Sequence, residues 1–215
     1  MASIDLFFAT GNSAKLAQLA FVVSHLRAPI KVISAQERFG DAAKYEESGS
    51  SARMISVRGA QEVAQRIGVP VVVEDSTFHV NALDDQPGIH AGQYLKEHGR
   101  QGILDALGEN ANRYAEIISA VTWAHPQGDI QTFVQVVRGH IARREWVVNG
   151  MPDWIGPSPE NPLGGGYNAI FIPQGDTRTL AEVRPTESIK MGYREPNFCA
   201  LVYFLMARSR SQGDV

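Results

Sequence analysis

Three short segments carry residue types that do chemistry: Thr10-Gly11-Asn12-Ser13-Ala14-Lys15, Glu46-Glu47-Ser48-Gly49 and Val73-Glu74-Asp75-Ser76. The first follows the apolar run Ile4-Asp5-Leu6-Phe7-Phe8-Ala9. It precedes Leu16, Leu19, Ala20, Val23 and Leu26, which recur along one face of a helix. A polar turn leading from a buried strand into a helix presents backbone N–H groups and the positive end of the helix dipole to an anion. Lys15 adds a full charge, and Thr10 and Asn12 add short hydrogen-bonding arms, a set that suits phosphate. The same residue types also serve ordinary turn and N-cap chemistry. Neither G-x-x-x-x-G-K-[ST] nor G-x-G-x-x-G occurs, so the turn by itself leaves both readings open.

The acidic segments supply a complement. Val71-Val72-Val73 is an uninterrupted apolar run of the kind buried on both faces of a sheet, and Glu74-Asp75 follows it. If strands 4–9 and 71–75 are parallel neighbours, Asp75 and the Thr10–Lys15 turn share the carboxyl edge, where open α/β sheets bind ligands. Glu47 approaches from its own loop. A phosphate facing two or three carboxylates is repelled unless a hard cation lies between them, and Mg²⁺ fits, bridging carboxylate and phosphate oxygens while keeping several waters. Taken singly, Glu74-Asp75-Ser76 also reads as the polar end of a strand, and Glu46-Glu47 as a solvated loop.

The elements that must position these groups alternate between strand and helix. Strand 3–9 and helix 14–26 lead to a strand at 31–35, a helix over 52–67, the strand at 71–73 and another over 78–83. A helix over 100–108 stops at Gly108. Tyr114 to Ala124 and Ile130 to Ala142 read as long strands joined by the turn Pro126-Gln127-Gly128-Asp129, an antiparallel hairpin. Residues 144–166, rich in Gly, Pro, Asn and Trp, read as an irregular loop carrying Trp146 and Trp154. A strand at 169–172 and a helix through Phe198, Leu201, Val202, Leu205 and Met206, with Pro196 in its first turn, complete the pattern. The expected fold is α/β: a mixed sheet forming two lobes with helices packed around it and the active site in the cleft between them. It reads as a single domain over 1–208 with a frayed tail over 209–215.

Bulk properties narrow the function. In 215 residues, 44% hydrophobic and 20% charged, there is room for a substantial core. A net charge of −3 supplies no field for duplex nucleic acid or an anionic membrane. The single cysteine, Cys199, forms no internal disulfide and lies in the apolar pattern of the last helix. No run approaches a membrane span, and no leader pattern is seen, so the expected location is the cytoplasm. His25, His79, His90, His98, His125 and His140 lack metal-ligand spacing.

Taken in order, the motifs resemble the inosine triphosphate pyrophosphatase family, which hydrolyses deaminated purine nucleoside triphosphates. Its T-G-N-x-x-K matches Thr10 to Lys15, its E-E-T-G loop Glu46 to Gly49, and its V-E-D-S/T strand Val73 to Ser76. Val80-Asn81-Ala82-Leu83, Pro87-Gly88-Ile89, Gly166-Tyr167-Asn168-Ala169-Ile170-Phe171 and Thr179-Leu180-Ala181-Glu182 continue the series, from Phe8 to about Leu205. The resemblance implies cleavage between the α and β phosphates, giving nucleoside monophosphate and pyrophosphate. It implies Thr10, Gly11, Asn12, Lys15 and Ser76 as triphosphate contacts and Glu47 and Asp75 as Mg²⁺ ligands. Asp75 becomes the base, with Glu74 assisting and Lys15 offsetting charge. It also implies a homodimer.

The departures gather on the parts that recognise the base. The usual F-G-Y/W-D reads Gly165-Gly166-Tyr167-Asn168, and the usual S-A-R-Y reads Ala91-Gly92-Gln93-Tyr94. K-x-x-x-S-H-R is absent; by distance from the last helix, Glu195, Pro196 and Asn197 take the S-H-R places. Lys190 and Arg194 stand as compensating charges, with plain surface positions as the alternative, and Tyr167 as a stacking ring, with core filling as the alternative; Asn168 is expected beside them as a substrate-binding residue. The loop helix has Gly59, beside Arg58, where the family carries Lys. Base selectivity altered from inosine and xanthosine is expected. The rival is a catalytically silent nucleotide-binding protein of the same fold. A dinucleotide-dependent oxidoreductase is disfavoured by the missing glycine fingerprint.

Overall fold

The computed structural model describes residues 3–213. Its hydrogen-bonded strands run in the order β2-β1-β3-β5-β6-β7, with β4 added to β3: β1 Ile4–Phe8, β2 Ile30–Ser34, β3 Val71–Val80, β4 Gln86–Gly88, β5 Tyr114–Ala124, β6 Ile130–Ile141 and β7 Phe171–Pro173. The helices are α1 Ser13–His25, α2 Ala35–Phe39, α3 Ala52–Ile67, α4 Ala91–Leu107, α5 Pro185–Met191 and α6 Glu195–Gly213. Parallel pairs join β1 to β2 and β3, and antiparallel pairs join β3 to β4 and β6 to β7. The expected mixed α/β sheet is present. The chain divides into two compact units, one of residues 1–75, 119–135 and 194–215, the other of 76–118 and 136–193.

In the first unit the pairing of Phe8 with Val72 brings the ends of β1 and of the Val71–Val73 run level. The Ala9 amide donates to the Val72 carbonyl at 2.8 Å, continuing the ladder to the start of the turn. Two sequence boundaries hold closely. Helix α3 begins at Ser51, whose hydroxyl accepts from the Met54 amide, and ends at Gly68, which takes the left-handed conformation that glycine tolerates. Its small buried residues Ala60 and Ala64 let it lie close against Val71, Val73 and Ala9.

Other boundaries move. The strands expected at 71–73 and 78–83 are one strand through Val80, so Glu74 and Asp75 sit within a strand rather than at its end. The β1 pairing ends at Val72, and β3 runs on past Glu74 and Asp75 to pair with β4 at Phe78–Val80. Helix α4 begins at Ala91, nine residues before the expected start, because Gly99, at φ +62°, interrupts a helix whose first half carries few apolar residues. The strand expected from Ala169 begins at Phe171, after a run of turns. Short elements α2, β4 and α5 fall in segments where no element is expected, apart from Ala35, which is expected to end a strand and instead opens α2. The segment expected to fray after 208 stays helical to Gly213, and 214–215 lie outside the described residues.

The second unit packs α4 onto Phe78, Ile117, Ile141 and Phe171 through Ile103, Leu104 and Leu107. Just past the Gly99 kink, the buried Arg100 threads into the Gly-rich loop. Its guanidinium donates to the carbonyls of Gly166 at 2.5 Å, Pro162 at 3.0 Å and Gly164, and it pairs with Glu145 at 2.7 Å. Only the arginine fork reaches several acceptors at once. Arg100→Ala is expected to cost on the order of 3 kcal/mol in urea unfolding. Arg100→Lys should recover less than half of the loss.

Candidate active site

The turn after β1 closes on itself. The Thr10 hydroxyl accepts from the Asn12 amide at 3.1 Å, and the Asn12 side-chain oxygen accepts from the amides of Ala14 at 2.9 Å and Lys15 at 3.2 Å. Asn12 is thus the N-cap of α1, so both readings of the turn hold in part. The exposed Gly11 and Ser13 amides make no hydrogen bond among the described residues and are left for an anion. Gly11 also keeps the turn close to α2, where a Cβ would stand 3.1 Å from the Gln36 amide oxygen.

Lys15 points from α1 across to β3. Its ammonium donates to the Glu74 carbonyl at 3.1 Å and pairs with Glu74 Oε2 at 2.8 Å. Arg194, just before α6, brings Nε to 3.1 Å of the same oxygen, and the Ser119 hydroxyl of β5 donates to Oε1 at 2.9 Å. Burial pushes the Glu74 carboxyl up, but the charges of Arg194 and Lys15 and the hydrogen bonds from Lys15 and Ser119 outweigh it and hold the group ionised. Two cations, Lys15 and Arg194, face one buried carboxylate beside Asp75. A lysine ammonium has three donors, and Glu74 engages two.

Asp75 is the next residue of β3 and is buried; Ser76 after it is half-buried. Glu47 is exposed on the loop before α3, and Arg58 holds that loop by donating to the Ser48 hydroxyl at 3.1 Å. Tyr45 reports how these groups converge. Burial first, then the negative charges of Glu47, Asp75 and Glu74, push its hydroxyl far above its ordinary range. Among the described residues no group of three or more His, Cys, Asp or Glu side chains is arranged for a metal. Two hard carboxylates, Glu47 and Asp75, still suit Mg²⁺, which takes one or two carboxylates and completes its shell with water and substrate phosphate. Glu74, spent on two cations, does not join that set.

Several expected residues turn out to be structural. Tyr167 is buried in the second unit, its ring stacked on Phe78 at 4.2 Å and its hydroxyl donating to the Ala91 carbonyl at 2.9 Å. That placement corrects its reading as a ring for the base. Asn168, also buried, donates to the carbonyls of Trp154 and Ile155 and braces the loop. Trp154 is buried there, while Trp146 lies exposed under the Arg144 guanidinium at 4.1 Å. Lys190 is exposed in the last turn of α5. Glu195, Pro196 and Asn197 form the first turn of α6, and Asn197 donates to the Ser119 carbonyl at 3.0 Å. Asn197 therefore steadies the serine that holds Glu74. Arg194 joins the charged cluster rather than standing in for a missing base contact. Ser119, a lone hydroxyl in the apolar run Ile117 to Val121, was the signal passed over.

The Ham1 family model matches residues 6–204. A dITP/XTP pyrophosphatase of Methanopyrus kandleri is 31% identical over 191 residues, covering 89% of this chain and 90% of that protein. One of Pyrobaculum aerophilum is 32% identical over 201 residues, covering 94% and 96%. The Ham1 protein of Staphylococcus aureus superposes with a TM-score of 0.73 over 95% of this chain and 99% of its own, at 23% identity, a likeness of fold. No helix among the described residues is long and apolar enough to cross a membrane. The family that the motif series resembles is confirmed across nearly the whole length: the chain belongs to the Ham1 family.

Proposed function

We propose that the protein is a nucleoside triphosphate pyrophosphatase that depends on Mg²⁺ and releases nucleoside monophosphate and pyrophosphate. The observation that carries this is the Lys15–Glu74–Arg194 cluster beside Asp75, level with the turn after β1. The Gly11 and Ser13 amides and the remaining Lys15 donor bind triphosphate oxygens, and the Lys15 ammonium offsets the negative charge that grows on the leaving pyrophosphate. Thr10 and Asn12 act from behind, fixing the turn that aims those amides. The Asp75 carboxylate orients a water molecule and takes its proton as oxygen bonds to the α phosphorus. The α–β bridging bond breaks, and its electron pair leaves with pyrophosphate. Glu74, held ionised by two cations, fixes Lys15 and Arg194 instead of sharing the proton. Mg²⁺ held by Glu47 and Asp75 would neutralise phosphate charge.

Base preference is the finer part of the proposal. Tyr167 and Asn168 are committed to the core of their unit and Asn197 to Ser119, which supports a preference other than inosine or xanthosine. A panel of standard, deaminated and modified nucleoside triphosphates, assayed for pyrophosphate with and without Mg²⁺, tests both parts. The expected result is Mg²⁺-dependent release that is highest on a nucleotide other than dITP or XTP. Binding without release of pyrophosphate from any nucleotide would overturn the enzymatic reading.

A further inference from the structure

Gly59 lies on the buried face of α3, against Tyr45. A Cβ added at Gly59 would fall 2.6 Å from Tyr45 Cδ2, 2.8 Å from Cε2 and 2.9 Å from Cγ. These atoms are the body of the ring, not the end of a flexible chain, so any side chain at position 59 must displace it. The ring is also packed against the core cluster that contains Ala43, Ala60 and Val71. Position 45 opens the segment Tyr45-Glu46-Glu47-Ser48, whose far end Arg58 of α3 holds through Ser48. Glu47 is therefore suspended between two attachments to one helix: a ring seated on Gly59 and an arginine on Ser48.

We infer that Tyr45 is a positioning residue for Glu47: its ring, seated in the space that Gly59 leaves empty, sets where the Glu47 carboxylate stands relative to Asp75. The inference deepens the proposed function and rests on its reading of Glu47 and Asp75 as the cation-binding pair. Glycine at 59 is then a requirement of the site. A larger residue there acts on the cation through Tyr45, without touching substrate. The ring, not the hydroxyl, does the positioning, because the ring makes the contact.

The test uses four variants, Tyr45→Phe, Tyr45→Ala, Gly59→Ala and the double Tyr45→Ala/Gly59→Ala. Three quantities are read: Mg²⁺ half-saturation of hydrolysis, Mg²⁺-dependent affinity for an α,β-methylene nucleoside triphosphate by calorimetry, and melting temperature. Residues that orient metal ligands typically change metal affinity about 10- to 100-fold when replaced. Tyr45→Ala and Gly59→Ala are each expected to weaken Mg²⁺ half-saturation and the calorimetric affinity about 10-fold, while both fold. Tyr45→Phe is expected to stay within about 3-fold of the parent, below the usual range for such a loss. The decisive result is the double variant. With the ring gone, the Gly59 methyl has nothing to displace, so the pair should be no worse than Tyr45→Ala alone. Half-saturation unchanged in Gly59→Ala, or a double effect equal to the product of the singles, overturns the inference while Mg²⁺-dependent turnover of the parent stands. A parent that turns over equally well without Mg²⁺ overturns the underlying reading and the inference with it.

Discussion

Asp75→Asn is expected to lower pyrophosphate release by on the order of 10²–10⁴-fold, with folding intact. The substitution keeps shape and size at a buried position of β3, so the ladder and the neighbouring Glu74 cluster are undisturbed. It removes the proton acceptor and one of the two charges offered to the cation. Losing the base lowers turnover even at saturating Mg²⁺, whereas losing a ligand shifts the Mg²⁺ requirement. Steady-state rates over a Mg²⁺ titration separate the two, and both changes are expected together. Glu47→Gln should show mainly the shift in Mg²⁺ requirement, because Glu47 is exposed and takes no proton in the mechanism. Full activity in Asp75→Asn would remove the carboxylate from the chemistry.

Glu74→Gln is expected to be the most damaging single change to stability, by about 3–5 kcal/mol, because it takes the carboxylate partner from Lys15 and one carboxylate contact from Arg194 in a buried place. The side chains of Lys15 and Arg194 are each 15% exposed and that of Glu74 not at all, so water cannot replace the lost charge. Urea unfolding at neutral pH measures the loss. Removing one cation with it, as in Lys15→Met/Glu74→Gln, should be less destabilising than the sum of the two single changes. The same carboxyl sets an acid limb. Its folded value lies below its ordinary 4.5, so the stabilisation is complete above 4.5 and fades as pH falls through the lower folded value. Glu74→Gln should flatten that limb below pH 4.5. An unchanged limb would assign acid sensitivity elsewhere.

Much of this arrangement could be read from residue order alone, and the part that could not has a physical reason. Helix α3 was legible because Ser51 and Gly68 mark its ends, and strands β1 and β3 because Leu6 to Ala9 and Val71 to Val73 are apolar. Asp75 and Lys15 stand out as charges close to such runs, and Glu47 as part of the Glu46-Glu47-Ser48-Gly49 loop. What failed was the assumption that a charge ends a strand. Glu74 continues one because its partners come from three distant segments: Lys15 from α1, Ser119 from β5 and Arg194 from before α6. No local pattern displays such partners. Tyr167 failed the other way. The motif position suggests a ring for the base, but the alternative of a core residue holds: Phe78, far away in sequence, covers it. Gly59 looked like a missing lysine until the Tyr45 ring was found in its place.

The interleaving of the two units has a consequence for biosynthesis. The first unit takes its residues from three stretches of chain, and the last begins at Arg194. A nascent chain that has made β1, α1 and β3 can already pair Lys15 with Glu74, but that pair is only half of the charged cluster. Synthesis runs at about 5–20 residues per second, so Glu74 waits several seconds for Arg194. During that interval the ribosome-bound chain lacks the second cation that faces Glu74. A chain released before Arg194 therefore keeps Glu74 buried with only part of its charge compensation.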